Sequence, residues 1–287
     1  MPNGDNQMSE KVVPFNLSQS GRNLEGIAKA IRRHILNMTS NANSGHPGGS
    51  LSSVEIITSL YFGNILRYDP KKIDWPDRDR FILSKGHACP VLYGALAEAG
   101  YFPLEELMTF RKINSRLQGH ANPKTPGVEM SSGSLGMGLS FGLGVALSGR
   151  LSKRSYRVYT LLGDGECDEG QIWEAAMSAT HYKADNLTAI VDRNRIQNDR
   201  STDQVMQLEP FVEKWQAFGW HTQEVDGHDI AALVAALNKT KEIKDVPSVI
   251  IANTVKGKGV SFMEGNPAFH GKAANKEELI AALKEID

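Results

Sequence analysis

Tyr156 to Leu162 (YRVYTLL) is rich in β-formers and ends in a glycine turn, GDG; Gln171 to Tyr182 then sets Ile172, Ala175, Ala176 and Ala179 at helical spacing, and Leu187 to Asp192 is a second apolar run. Strand, helix and strand joined this closely make a βαβ unit. Such crossovers are right-handed and leave the two strands parallel, so both carboxyl ends emerge on one edge of the sheet. Asp164 follows the first strand and Asn194 the second, thirty residues later. If the strands are near neighbours, spaced about 4.8 Å, the two side chains reach one small ion.

That pair has a definite chemistry. A hard cation such as Mg²⁺ takes about six oxygens and shares them readily with phosphate. Asp164 offers a carboxylate, Asn194 an amide oxygen, and the backbone carbonyl of Ile196 a third donor. Gly163 and Gly165 let a phosphate approach the backbone amides closely. A bare GDG is also an ordinary tight turn; what argues for the metal reading is Asn194 at the end of the next strand.

With 287 residues, 40% of them hydrophobic, the chain can bury one large α/β core. A net charge of −1 supplies no field that draws it to nucleic acid or membrane, so anion binding has to be local. The nearly apolar run at Leu139 to Leu147 is too short to span a bilayer, and the polar N-terminus lacks the regions of a signal peptide. A cytoplasmic location is expected. Cys89 and Cys167 show no metal or redox spacing, which suits a reducing compartment.

Residues 1–14 are polar and patternless and read as a flexible tail, with a single domain over 15–287. Leu24, Ile27, Ala28, Ile31, Ile35 and Met38 form one helical face; Ser44 to Ser50 is expected as a loop, followed by a helix through Val54, Ile57, Leu60 and Tyr61. Arg80 to Leu83 reads as a short buried strand, Cys89 to Ala99 as a helix, and Ser131 to Leu147 as a glycine-rich turn opening a tightly packed helix. Strands at Val225 and at Val249 to Asn253, and a helix from Ile230 to Leu237 capped by Asp229, complete the pattern. The expected fold is a doubly wound, mostly parallel sheet with helices on both faces and a ligand beyond the strand carboxyl ends. Phe141 stands where GxGxxG needs its third glycine, and no GxxxxGK[ST] occurs, which argues against both common nucleotide loops.

His46, His87, His120 and His270 each touch a glycine in an irregular loop; His228 also follows a glycine but directly precedes an N-cap. One such pair is commonly a surface loop, but four in irregular loops call for a joint explanation. His34, His181, His221 and His228 sit on helices, at a strand edge or before an N-cap, and read as structural.

SGHPGG (Ser44 to Gly49), SKGHACPVLYGALAEAG (Ser84 to Gly100), LQGHANP (Leu117 to Pro123), GVEMSSGSLGMGLSFGLGVAL (Gly127 to Leu147), GDGECDEG and TVKGKGVSFME resemble, in order, the N-terminal part of transketolase. The GDG and Asn pair resembles the thiamine diphosphate signature. A whole transketolase is about twice as long, so the chain resembles the N-terminal subunit of a split enzyme.

The resemblance implies a thiamine diphosphate-binding fold holding the diphosphate and a metal, Mg²⁺ with Ca²⁺ or Mn²⁺ as alternatives. Asp164, Asn194 and the Ile196 carbonyl would hold the metal, with Gly165 beside the diphosphate. His87, Leu135, Gly136, Met137, Lys256 and His270 would contact the cofactor, and Glu169 would belong to a network between paired cofactor sites. His46, His120, His270 and Lys272 would face substrate. The implied reaction, of the pentose phosphate type, moves a two-carbon ketol unit from a ketose phosphate to an aldose phosphate, with the cofactor as electron sink. Histidines with pKa values near neutrality would shuttle protons and donate to alkoxide oxygens.

The glutamate that activates the cofactor and most sugar-phosphate contacts belong, in this family, to a second domain. The implied partner is therefore a C-terminal subunit of about 300 residues, in a dimer of heterodimers. IQNDRS after Asn194 departs from the family's IDG-like turn, and Gly49 stands where some relatives carry a hydroxyl residue. Alternatives are a 2-oxoacid dehydrogenase or deoxyxylulose phosphate synthase subunit, a non-catalytic cofactor-binding subunit, and a Mg²⁺-dependent phosphatase built on Asp164, Glu166, Asp168 and Glu169.

Overall fold

The computed structural model describes residues 23–286. The tail expected over 1–14 and the start of the domain at 15 lie outside them. The strands are β1 (Arg80–Leu83), β2 (Val158–Gly163), β3 (Leu187–Arg193), the short pair β4 (Ile196–Gln197) and β5 (Arg200–Ser201), β6 (His221–Asp226) and β7 (Ser248–Asn253). Five of them form one sheet in the order β1-β2-β3-β7-β6, every pairing parallel. β4 and β5 pair antiparallel as a separate hairpin.

The helices are α1 (Leu24–Asn41), α2 (Pro47–Leu51), α3 (Val54–Phe62), α4 (Cys89–Glu98), α5 (Met137–Leu151), α6 (Gly170–His181), α7 (Thr202–Val205), α8 (Phe211–Ala217), α9 (Ile230–Thr240) and α10 (Lys276–Ile286). Strand residues alternate between two cores. Phe81, Leu83, Tyr159, Leu161, Ile190 and Ile250 pack with α1, α3, α4, α9 and α10. Ile82, Val158, Leu162, Ala189, Val191 and Ile251 pack with α5, α6 and α8. A parallel sheet needs both faces covered, and these strands are accordingly near-continuous apolar runs. Each fully buried aliphatic side chain contributes roughly 1.5–3 kcal/mol, so the two layers hold the strand ends in register.

Local signals agree with the sequence reading. Asn23 caps α1 by accepting from the Gly26 amide at 2.8 Å, and Asp229 caps α9 by accepting from Ala232 at 3.0 Å. One expectation changes: Ser44 to Ser50 is not all loop. Pro47 takes the first position of α2, a single turn, where its fixed φ and missing N–H cost nothing. This short helix places His46 at its N-terminal junction.

Candidate active site

The carboxyl ends of four neighbouring strands converge on one cavity of about 230 Å³. β1 runs on into Lys85 and His87, β2 into Asp164, Gly165 and Glu166, β3 into Asn194 and Ile196, and β7 into Lys256. His46, Gly49, Leu135, Gln197, Asn198 and His270 complete much of the wall.

A buried ion pair anchors this edge. The Asp192 carboxylate at the end of β3 meets the Lys85 ammonium, and both side chains are almost wholly withdrawn from solvent. Asp192 also accepts from Ser52 at 2.6 Å, Ser53 at 2.9 Å and Thr254, while Lys85 donates to Gly49 O at 2.9 Å and Ser53 Oγ at 3.1 Å. Burial alone would push the Asp192 carboxyl up, but Lys85 and the hydroxyls hold it below the ordinary carboxylate range. The same atoms therefore tie β1, β3, β7 and the start of α3 together.

Asp164 is held differently. Its oxygens accept from the Gly165 amide at 2.8 Å and the Arg195 amide at 2.5 Å, yet burial and the neighbouring Asp192 charge raise its pKa to about 6. Asn194 Oδ1 accepts from the Ile196 amide at 3.1 Å, and the Ile196 carbonyl accepts from Lys256 Nζ at 3.0 Å. Lys256 Nζ also lies 2.8 Å from His270 Nδ1. Burial, then repulsion from Lys85, brings Lys256 down to about 8.

The imidazoles cluster beside these groups. His46 lies 5.2 Å from His87, 5.4 Å from His270 and 6.3 Å from His120, centroid to centroid. Burial first, then Arg111, His120 and Lys256, lowers His46 to about 4; burial and Lys256 lower His270 to about 4. His87 is lowered well below its ordinary value by burial and Lys85, and His120 is lowered by burial and Arg111. The expected near-neutral pKa values are not what the pocket produces. Desolvation among cations keeps these rings neutral at pH 7, as donors and acceptors rather than as imidazolium ions.

A family model described as the thiamine diphosphate-binding domain of transketolase matches residues 24–286. The chain belongs to the transketolase family. It is 43% identical to a 6-deoxy-6-sulfo-D-fructose transketolase subunit of Clostridium sp. (strain MSTE9), over 94% of this chain and 98% of that one. To an apulose-4-phosphate transketolase subunit of Actinobacillus succinogenes it is 44% identical, over 95% and 98%. A solved Pichia stipitis transketolase (mutant R525L) superposes with a TM-score of 0.87 at 31% identity, covering 92% of this chain and 40% of that one. The chain thus spans a whole subunit of the first two and well under half of the single-chain enzyme.

The transketolase fold gathers most of the residues read from sequence. His46, His87, Leu135, Asp164, Gly165, Asn194, Ile196, Lys256 and His270 all line the cavity. Gly136 and Met137 stand just behind Leu135 at the start of α5: Gly136 is the N-cap at φ 83°, and a Cβ there would meet Glu169 Cβ at 2.8 Å. His120 and Glu169 are exposed and lie outside the cavity wall. Lys272 is turned away, bonded to Glu278 at 2.7 Å and lying over the Phe269 ring.

Glu166 proves structural: its oxygens accept from Ser84 at 2.5 Å, Gly136 at 2.9 Å and Gly163 at 3.0 Å, locking the glycine-rich turn onto GDG. Among the described residues no cluster of three or more His, Cys, Asp or Glu side chains could hold a metal, and the family match with the structural bonds of Glu166 argues against the phosphatase alternative. Lys85, Asp192, Gln197 and Asn198 are the site residues that the sequence reading missed. Asp192 had a signal, since a carboxylate inside an otherwise apolar buried strand needs a partner. The departure IQNDRS forms the β4–β5 hairpin, with Asn198 at φ 52° in its turn.

Proposed function

We propose that the chain is the diphosphate- and metal-binding subunit of a two-subunit transketolase that moves a two-carbon ketol unit from a ketose to an aldose. The observation that carries this is one cavity lined by Asp164, Asn194 and Ile196 together with His46, His87 and His270. The donors fit the metal: all three offer hard oxygen, as Mg²⁺ requires. A buried carboxylate raised to about 6 is short of positive charge, which a divalent cation supplies. Gly49 and Gly163 line the same cavity, and a Cβ at Gly49 would stand 3.7 Å from Lys85 Nζ and His87 Nε2, so the missing side chains leave to a diphosphate the space beside these groups. Bound thiamine diphosphate would supply the electron sink for cleaving and forming the carbon–carbon bond.

The chain's own residues would do the rest. Lys256 and Lys85 place positive charge beside the diphosphate end. The ammonium of Lys256 facing Nδ1 of His270 leaves the ring proton on Nε2, so His270 is set as a neutral donor. Buried Nδ1 of His46 has no hydrogen-bond partner among the described residues. That atom is closed to solvent, so Nε2 of the ring would be the nitrogen that meets a substrate hydroxyl or alkoxide in the cavity; a well-placed donor there is worth about 3 kcal/mol in the transition state. His120, exposed at the rim beside His46, would meet the substrate's outer end, whereas Lys272 would join only after leaving Glu278.

Two relatives are named as subunits, and this chain covers 98% of each. That supports a separate partner subunit; our reading of it is a C-terminal chain of about 300 residues in a cytoplasmic dimer of heterodimers. One is named for 6-deoxy-6-sulfo-D-fructose and the other for apulose-4-phosphate, which argues for a ketose outside the ordinary pentose phosphates. In the complex purified through this chain, Asp164→Ala is expected to abolish Mg²⁺-dependent binding of thiamine diphosphate in a calorimetric titration. Undiminished affinity, or affinity indifferent to chelator, would sink the assignment.

A further inference from the structure

His228 reads as structural from sequence, but its position in the fold is not passive. It stands just beyond β6, and its two ring nitrogens connect different elements. Nδ1 lies 3.0 Å from Glu55 Oε2 on α3, and Nε2 accepts from the Val255 amide at 2.8 Å. An amide N–H can only donate, so Nε2 is bare and Nδ1 carries the hydrogen that goes to Glu55. The other Glu55 oxygen accepts from Arg32 Nη2 at 2.5 Å, and Arg32 Nε donates to the carbonyl of Lys258 at 3.2 Å. Burial pushes the Glu55 carboxyl up, but the bonds from His228 and Arg32 more than offset it and hold it below its ordinary value.

One buried carboxylate thus mounts two clips on the loop after β7. His228 grips the residue before Lys256, and Arg32 grips the second residue after it. Between the clips the Lys256 side chain reaches Ile196 O at 3.0 Å and His270 Nδ1 at 2.8 Å. We infer that His228, oriented by Glu55, is a positioning residue that fixes Lys256 against Ile196 and His270. The inference rests on the proposed place of Lys256 and Ile196 at the diphosphate end of the cofactor.

The two nitrogens can be separated by substitution. His228→Gln keeps an acceptor near the Nε2 position and loses the donor to Glu55; His228→Asn keeps a donor near Nδ1 and loses the acceptor. The readouts are thiamine diphosphate affinity in the presence of Mg²⁺, measured on the complex purified through this chain, and amide hydrogen exchange. Losing one net hydrogen bond predicts about fivefold weaker binding for His228→Ala and His228→Asn, with His228→Gln within about twofold of wild type. Faster exchange should be confined to residues 255–259. In a Lys256→Met background, His228→Ala should add nothing.

Full additivity of the two substitutions, rescue by Asn as good as rescue by Gln, or faster exchange throughout the sheet would overturn the inference. If Lys256→Met alone leaves cofactor affinity unchanged, the underlying placement of Lys256 fails first. That outcome is distinct from a Lys256→Met loss that His228→Ala does not reproduce.

Discussion

Neutral imidazoles packed among cations give the pocket its character, and His46 shows the consequence at the level of one side chain. Burial and the nearby Arg111, His120 and Lys256 charges lower it from 6.5 to about 4. Above pH 6.5 neither the folded nor the unfolded chain protonates this ring, and the fold has its full stability. As pH falls from 6.5 towards 4 the unfolded chain takes up the proton first, so stability declines through that window. Carboxylates add their own acid dependence, which makes the comparison with His46→Gln the decisive one. Thermal melts across pH 4 to 7 should show a shallower decline for His46→Gln than for wild type; identical slopes would mean that the ring is not held neutral by the fold. For activity of the complex the informative variant is His46→Ala, which removes the donor altogether. A fall in kcat of about 10²-fold is expected for loss of one such donor, with a smaller fall for His46→Gln, which keeps an N–H.

Among elements, the Lys85–Asp192 pair does the joining. It links the end of β1 to the end of β3, and through Ser52, Ser53 and Thr254 to α3 and β7. Removing one partner of a buried pair leaves an uncompensated charge, which costs about 3–5 kcal/mol. Lys85→Met should therefore lower the denaturant midpoint strongly, and Lys85→Met with Asp192→Asn should lose clearly less than the single change. Equal losses would show that the pair carries no coupling. The elements themselves were legible: β1 at Arg80–Leu83, the βαβ unit and the Asp229 cap all follow from apolar period and cap chemistry. So was the meeting of Asp164, Asn194 and Ile196 at one cavity, because the βαβ crossover makes β2 and β3 parallel and they pair side by side. What stayed hidden was of another kind. Lys85 and Asp192 lie 107 positions apart, and only the strand order β1-β2-β3 brings them together. His228 looked like a loop residue because its partners, Glu55 and Val255, sit on α3 and after β7, neither of them close in sequence. Lys272 points the other way: motif resemblance put it near substrate, and its bond to Glu278 holds it elsewhere in this chain.

For the whole molecule the question is how much of a reaction site one chain can hold. The cavity of about 230 Å³ is small beside the roughly 300–1,000 Å³ of complete small-molecule sites, and its chemistry is one-sided: a carboxylate and an amide oxygen, two ammonium groups and neutral imidazoles. Leu135 at the cavity wall, and Met137 and Phe141 on α5, stand partly exposed on the turn and helix that Glu166 locks to GDG. A cofactor seated here would have its diphosphate held and its far end in water. Only part of the binding energy would then be realised by this chain. The isolated chain is accordingly expected to bind thiamine diphosphate with Mg²⁺ at least about 100-fold more weakly than the complex purified through it, equivalent to about 2.7 kcal/mol. Ketol transfer by the chain alone should be negligible, and adding the partner should restore it in proportion to complex formed. The two measurements separate binding from catalysis. Tight cofactor binding without turnover would mean that this chain completes the cofactor site and lacks only the catalytic glutamate, whereas full turnover from the purified single chain would show that the half-site reading is wrong.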